Sequence, residues 1–377
     1  MLEEYMLDIG FTEHDIKQIR NIRSANLYNF KSIYQYFHKS GLNNTEFISL
    51  VKTIPNIIST STENIKTRIV LLQELGFNKL NTFNIIKNYP YILELNEEKI
   101  NNKIDSLLDF GFTNKEIISL ISTNPSLLSI DNHQLKNTFD FFKKYGYIEE
   151  SIHNILIKEP AIISIDSNTL KNKIDSFKLL GFTKNEIIKI TSLLPNIFVE
   201  EDNLLSTKFN YLFEFGYEEK DIINIIKKIP TILKNYYLEE LESKLNKLLE
   251  IGFSKEDIIK MTIDIPYILL YSTDQLVNKV YGIKEFGYSL EQVIKMISNF
   301  PILFGYEINS IDKKIKFYKA IDLDEYIIEN SHLLIYNLDY IKARWSIIDK
   351  KDKLDLFLTD KDFYKKYKVQ SLDLIKE

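Results

Sequence analysis

Seven cations recur at one position of this 377-residue chain. Arg68, Lys103, Lys173, Lys208, Lys244, Lys279 and Lys314 share a period of 35 residues, lengthened to 36 between Lys208 and Lys244, and Thr138 fills the one remaining place. A cation presented once per structural unit makes a stripe, and a stripe of ammonium groups can track a polyanion, one phosphate at a time. The same residues carry a second reading. Ile100, Ile104 and Leu107 flank Lys103, so its methylene stem can cover apolar surface while the charge sits at the edge. Lys342 and Arg344 extend the candidate set into the C-terminal region. From 342 to 368 there are nine basic and five acidic residues, 9 − 5 = +4, against −5 for the whole chain. Arg344 stands beside Trp345, the sole tryptophan. That pair suits either a phosphate contact with an aromatic neighbour or a ring closing the last apolar face.

Other chemistry finds little purchase. The absence of cysteine excludes disulfides, thiolate metal sites and a cysteine nucleophile. The five histidines, at 14, 38, 133, 153 and 332, have no ligand spacing. Gly282 and Gly287 are five apart, but no Lys-Ser/Thr follows to make a phosphate loop. The expectation is a protein that is not an enzyme, with no cofactor and no metal. No apolar run reaches the ~18 residues of a membrane span, which argues against a membrane partner.

What must position the cations is a repeat. All eight prolines, at 55, 90, 125, 160, 195, 230, 266 and 301, are 35 or 36 residues apart. A glycine precedes each by 14, at 41, 76, 111, 146, 181, 216, 252 and 287. Such a period means stacked copies of one supersecondary unit. Within a unit, Gly111-Phe112 ends a helix, and Thr113 with Glu116 reads as a capping box opening the next. Thr183/Glu186, Ser254/Asp257, Asn43/Glu46 and Thr12/Asp15 repeat that pairing. Ile117, Leu120 and Ile121 make a first helix that Pro125 stops. Leu127-Leu128 form a short apolar turn, and Leu135, Phe139 and Phe142 line a second helix. The expected fold is all-α: a helical-repeat solenoid, or superhelix, of about ten ~35-residue units, each a helix pair with a short Pro-initiated turn. Residues 1–40 form a degenerate N-terminal capping unit, with Ser24 where proline would fall. Residues 41–320 hold eight tandem repeats, and 321–377 a degenerate C-terminal unit and capping helix, all in one continuous domain.

The unit Leu180-Gly181-Phe182-Thr183, Glu186-Ile187-Ile188, Pro195, Ile197 and Lys208 resembles the repeat of the mitochondrial transcription termination factor (mTERF) family. Ile341 to Trp345, followed by Thr359 to Tyr367, is similar to that family's C-terminal ending, with Ala343 in place of its proline. The resemblance implies a superhelix of helix pairs that binds double-stranded DNA or structured RNA and acts in transcription termination, transcription regulation, or RNA and ribosome metabolism. It turns the cationic row into a candidate nucleic-acid surface. With helix layers roughly 8–10 Å apart, eight units span roughly 70 Å, or about 20 base pairs. About six lysines on phosphates give a log–log salt slope near −5. Changing Lys173, Lys208, Lys244 and Lys279 together to Glu is expected to abolish binding while leaving helicity intact. The alternative is a protein-interaction scaffold, which the net charge of −5 and 23 tyrosines suit. A monomer is expected. The acidic N-terminus lacks an Arg-rich presequence, so a bacterial-type cytoplasm is the expected location, with a mitochondrion or plastid of an AT-rich eukaryote as the alternative.

Overall fold

Each unit begins where a glycine lets the chain turn out of a helix. In the computed structural model, which describes residues 1–19, 25–201, 203–234 and 237–369, every repeat glycine has a positive φ, from +86° at Gly111 to +118° at Gly252. That left-handed conformation strains residues bearing a Cβ. Asp322 sits 35 residues after Gly287 and takes the same role at φ +55°, as a short polar side chain can. The last unit has therefore kept the turn while losing the glycine. Ser24 lies outside the described residues, as does 370–377.

The first helices of the eight repeats are Asn44–Thr53, Lys79–Asn88, Asn114–Thr123, Glu149–Lys158, Lys184–Leu193, Glu219–Lys228, Lys255–Asp264 and Leu290–Asn299. Capping boxes close fully at Thr12/Asp15, Asn43/Glu46, Thr113/Glu116 and Thr183/Glu186. Ser254 accepts from the Asp257 N–H, and its hydroxyl donates to the Asp257 carboxylate. Each proline then occupies the first turn of a four- or five-residue 310 helix, where its missing N–H leaves nothing unpaired. The second helices follow, among them Thr62–Glu74, Glu97–Asp109, Asn132–Tyr145, Ser167–Leu179, Leu204–Phe215, Tyr237–Ile251, Thr273–Lys284 and Ile308–Ala320. No strand occurs among the described residues. The architecture is the all-α helical-repeat solenoid that the sequence calls for. Its contacts group into two compact halves, residues 1–175 with 183–200, and 176–182 with 201–377. In the terminal unit the helix Asp324–Glu329 is cut to six residues, and Ser331 opens the 310 segment Ser331–Ile335 in place of proline.

Neighbouring first helices are locked by two polar devices. The capping carboxylate of one unit takes a lysine from the next, Asp15 with Lys52 at 2.6 Å and Glu46 with Lys87 at 2.8 Å. These lysines, and then the N-cap groups, hold both carboxyls below their ordinary values of 3.8 and 4.5. The second device is buried. Tyr147 meets Thr191 at 2.6 Å, and Tyr217 meets Thr262 at 2.5 Å. Each threonine hydroxyl donates to its own helix, to Ile187 O at 2.7 Å and Ile258 O at 2.8 Å, so the tyrosine is the donor in the pair. Burial pushes both phenols far above their ordinary value. Where the residue after the glycine is Phe112, Phe182 or Phe253, the equivalent partner position holds Leu156, Ile226 or Ile297.

Two outcomes follow. Thr191→Val orphans the buried Tyr147 hydroxyl and is expected to cost about 1–3 kcal/mol. Tyr147→Phe should cost less, and adding it to Thr191→Val should recover stability in urea melts; simple additivity contradicts the pairing. The depressed carboxyls stabilise the fold above about pH 4.5, and that contribution is lost as pH falls through their folded values. Melting temperature should therefore drop more steeply below pH 4.5 in the parent than in Glu46→Gln.

Candidate nucleic-acid interface

The cationic row lies in the joints between units. Lys103, Lys173, Lys208, Lys244 and Lys314 are 1–7% exposed, and Arg68 and Lys279 are half-buried. Lys103 shares a helix face with Ile100 and Leu107, both fully buried, three and four residues away. Its Nζ reaches across to the next unit and donates to Ile130 O at 2.5 Å, just past the 310 helix Pro125–Ser129. Lys244 donates to Leu269 O at 2.7 Å within Pro266–Leu270. Lys208 donates to Ile232 O at 3.1 Å and to Lys234 O, around the end of Pro230–Leu233. Arg68 takes Leu93 O, Lys173 takes Glu200 O and Lys279 takes Tyr306 O. A helix terminates in carbonyls with no internal partner and a partial negative charge. The row supplies the cation at that end in each of these joints. Burial pushes the Lys103, Lys279 and Lys314 ammonium groups below their ordinary value, with Asp131 and Glu307 opposing it at the first two.

The remaining members fit the same pattern. Thr138 is 1% exposed and bonds back to Gln134 O in its own helix. Lys314 lies 5.4 Å from the Tyr306 ring, and Tyr318 donates to Leu333 O of the following 310 segment. Arg344, 2% exposed, ends the series. It donates to Leu356 O at 2.9 Å and Leu358 O at 2.5 Å, pairs with Asp360 at 2.7 Å, and stacks between Tyr340 and Phe363. Trp345 is half-buried and receives Lys350 at 3.7 Å from its ring centroid. Of the nine candidates, Lys342 is the one that is exposed. The structure places the other eight, Arg68, Lys103, Lys173, Lys208, Lys244, Lys279, Lys314 and Arg344, in the joints, six of them buried and Arg68 and Lys279 half-buried. The six buried cations are turned to carbonyls and rings inside the joints rather than to solvent.

The exposed polar surface divides by helix. Outward on each first helix and the following turn lie the residues eight, twelve and fifteen after the glycine. Over eight units these positions hold Lys158, Lys189, Lys228, Lys260 and Lys295, many Ser, Thr and Asn, and one carboxylate, Asp264. Outward on the second helices, two and six residues before the next glycine or Asp322, lie eight carboxylates: Glu74, Asp105, Asp109, Asp140, Asp175, Glu214, Glu250 and Glu285. Their cations are Lys144 and Lys316. The ridge positions are thus uncharged to basic, while the first helices also carry exposed carboxylates in their first turns, among them Glu149, Glu150, Glu219 and Glu256. The lysines at positions eight and twelve were readable in the sequence once helix phase separated outward from inward positions. Among the described residues no group of three or more His, Cys, Asp or Glu could hold a metal, and no helix is long and apolar enough to cross a membrane.

The repeat geometry, with glycine and proline 14 residues apart around a capped helix, agrees with a family model. The mTERF model matches residues 4–109, 33–214 and 200–360. The chain belongs to the mTERF family. No curated protein matches it. In this mTERF member the period-35 lysines bind the repeat to itself.

Lys208→Met keeps the stem but leaves the Ile232 and Lys234 carbonyls without their ammonium, and is expected to lower stability by about 1–3 kcal/mol. Lys208→Glu should cost about 3 kcal/mol or more, from an uncompensated buried charge. Lys342→Glu should stay within about 0.5 kcal/mol of the parent. Chemical denaturation followed by circular dichroism checks the order; equal stability of all three variants contradicts the buried role.

Proposed function

We propose that this mTERF-family chain binds a nucleic acid through the outward ridge of its first helices and 310 turns, in the service of transcription regulation or RNA metabolism. The observation that carries this reading is the make-up of the ridge: five lysines and one carboxylate in twenty-four positions (eight units by three). A polyanion laid on those positions meets lysines and almost no like charge. Family membership supports the same class of ligand. Successive first helices within each half pack against one another, so their ridge residues adjoin. Four arginines in the whole chain, with Arg68 and Arg344 committed to carbonyls, leave little for bidentate guanine reading.

A protein partner is the second reading, favoured by Leu108, Leu179, Phe213 and Leu249, which are 38–87% exposed on the second helices.

Fluorescence anisotropy with a random-sequence oligonucleotide decides between them. With Lys295 held by Glu329, the other four ridge lysines give a log–log salt slope of about −2.8 to −3.6, and Lys158, Lys189, Lys228 and Lys260→Gln together should remove most of it. Asp105, Asp140 and Glu250→Asn should not weaken binding. No binding at about 50 mM salt, where phosphate contacts are little screened, or indifference to the lysine set, overturns the proposal.

A further inference from the structure

We infer that a cleft between the second helices Thr273–Lys284 and Ile308–Ala320 receives an arginine side chain from an extended basic peptide of a protein partner. This goes beyond the nucleic-acid reading and does not depend on it. The cleft lies wholly within the second compact half. It measures about 630 Å³, a size that holds a ligand or an anchoring side chain. Two glycines shape it. Nine of the eleven glycines in the chain stand at turns with positive φ, and Gly282 and Gly305 are the other two. Both line the cleft. No other repeat has glycine at either place; in the preceding unit Lys247 and Leu270 stand there. A Cβ on Gly305 would come within 2.9 Å of the Tyr271 hydroxyl, and one on Gly282 within 3.1 Å of Ile308. Bare backbone lets both side chains settle across the joint as walls of the cleft. Glycine weakens a helix interior, so Gly282 is a local weakness in Thr273–Lys284 that the other second helices do not share.

The lining selects a cation. Three carboxylates, Glu285, Glu307 and Asp312, line the cleft with one ammonium, Lys279. Lys279 is committed to Tyr306 O, and Asp312 to Lys316 at 2.6 Å. Glu307 acts on Lys279 without an ion pair, and the exposed Glu285 carboxylate has no ion-pair or hydrogen-bond partner among the described residues. Tyr271 and Tyr306, both half-buried, add aromatic rings. A guanidinium suits both kinds of group: its fork pairs with carboxylates and its plane stacks on tyrosine. The surroundings extend the site beyond one side chain. The helix Tyr237–Ile251 packs on Thr273–Lys284, and Leu249 and Tyr281 are 38% and 42% exposed on this pair. Apolar residues flanking the arginine gain contact there, and a free organic cation does not. An extended peptide is therefore the occupant.

The experiment uses the full chain and a phage-displayed library of random peptides of about 12 residues, long enough when extended to cross the cleft and the neighbouring helix. The library is sequenced before and after selection. The parent should enrich peptides with an arginine flanked by apolar residues. A synthetic peptide of the enriched sequence is then titrated by fluorescence anisotropy. Replacing its arginine by citrulline, which keeps the shape and removes the charge, should weaken binding at least about tenfold. Glu285→Gln with Glu307→Gln should do the same. Glu256→Gln with Glu291→Gln makes the same change of charge on first helices of the same half and should alter affinity by less than about twofold. Asn278→Trp fills the cleft from an exposed position and should abolish binding while thermal melts stay unchanged. Enriched peptides without arginine, binding indifferent to citrulline, to the Glu285 and Glu307 pair or to Asn278→Trp, or an equal loss in the Glu256 and Glu291 control overturns the inference. So does an unenriched library, or free spermidine bound as tightly as the peptide. Oligonucleotide binding enters none of these arms, so the nucleic-acid reading stands or falls apart from them.

Discussion

A cation buried at the end of a neighbour's 310 turn is the interaction around which this array is built. Proline breaks each unit after its first helix, and the short 310 helix that follows turns apolar residues such as Ile232 and Leu233 into the core. That turn ends in carbonyls inside the protein, away from water. Buried carbonyls must find donors, and the donor comes from the preceding unit. One interaction thus satisfies the turn, fixes the lateral register of two units and explains why the lysine recurs with the period of the proline. The series runs from Arg68 to Arg344. At both ends a guanidinium stands where ammonium groups serve between. Its fork holds two carbonyls and a carboxylate at Arg344, a load a single ammonium meets less well.

Much of the fold was legible because glycine and proline mark backbone events that few other residues can perform. Their spacing defined the unit, its breaks and the capping boxes. Asp322 was opaque, since nothing in an aspartate announces a left-handed backbone. The cationic row was visible, but its meaning was not. Phosphate and carbonyl ask for the same group at the same period, so spacing alone cannot separate them. Helix phase could have done so: Lys103 is three residues from Ile100 and four from Leu107, placing it on the core stripe rather than beside it. The ridge was hidden for the opposite reason. Its serines and asparagines look like ordinary solvated surface until the inward positions have been removed.

The net charge of −5 counts the joint cations. The joint cations are largely sealed from solvent, so the charge that a ligand meets from outside is more acidic than the formula suggests. Long-range attraction to a polyanion is accordingly weak, and orientation at close range matters more than steering from a distance.

The tyrosine–threonine joints bear on how such an array can grow. A solenoid built from interchangeable units could lengthen by copying any one of them. Here the residue after one glycine and a residue in the following unit form a matched pair, either hydroxyl with hydroxyl or ring with aliphatic chain. Copying the unit that contains both Tyr147 and Leu156 would set the first copy's tyrosine against the second copy's leucine, burying a hydroxyl with no acceptor. Tyr288, whose buried hydroxyl meets no hydrogen-bond partner among the described residues, shows the form such a mismatch takes. The units carry addresses, and recombination within the gene is constrained to exchanges that keep neighbours together.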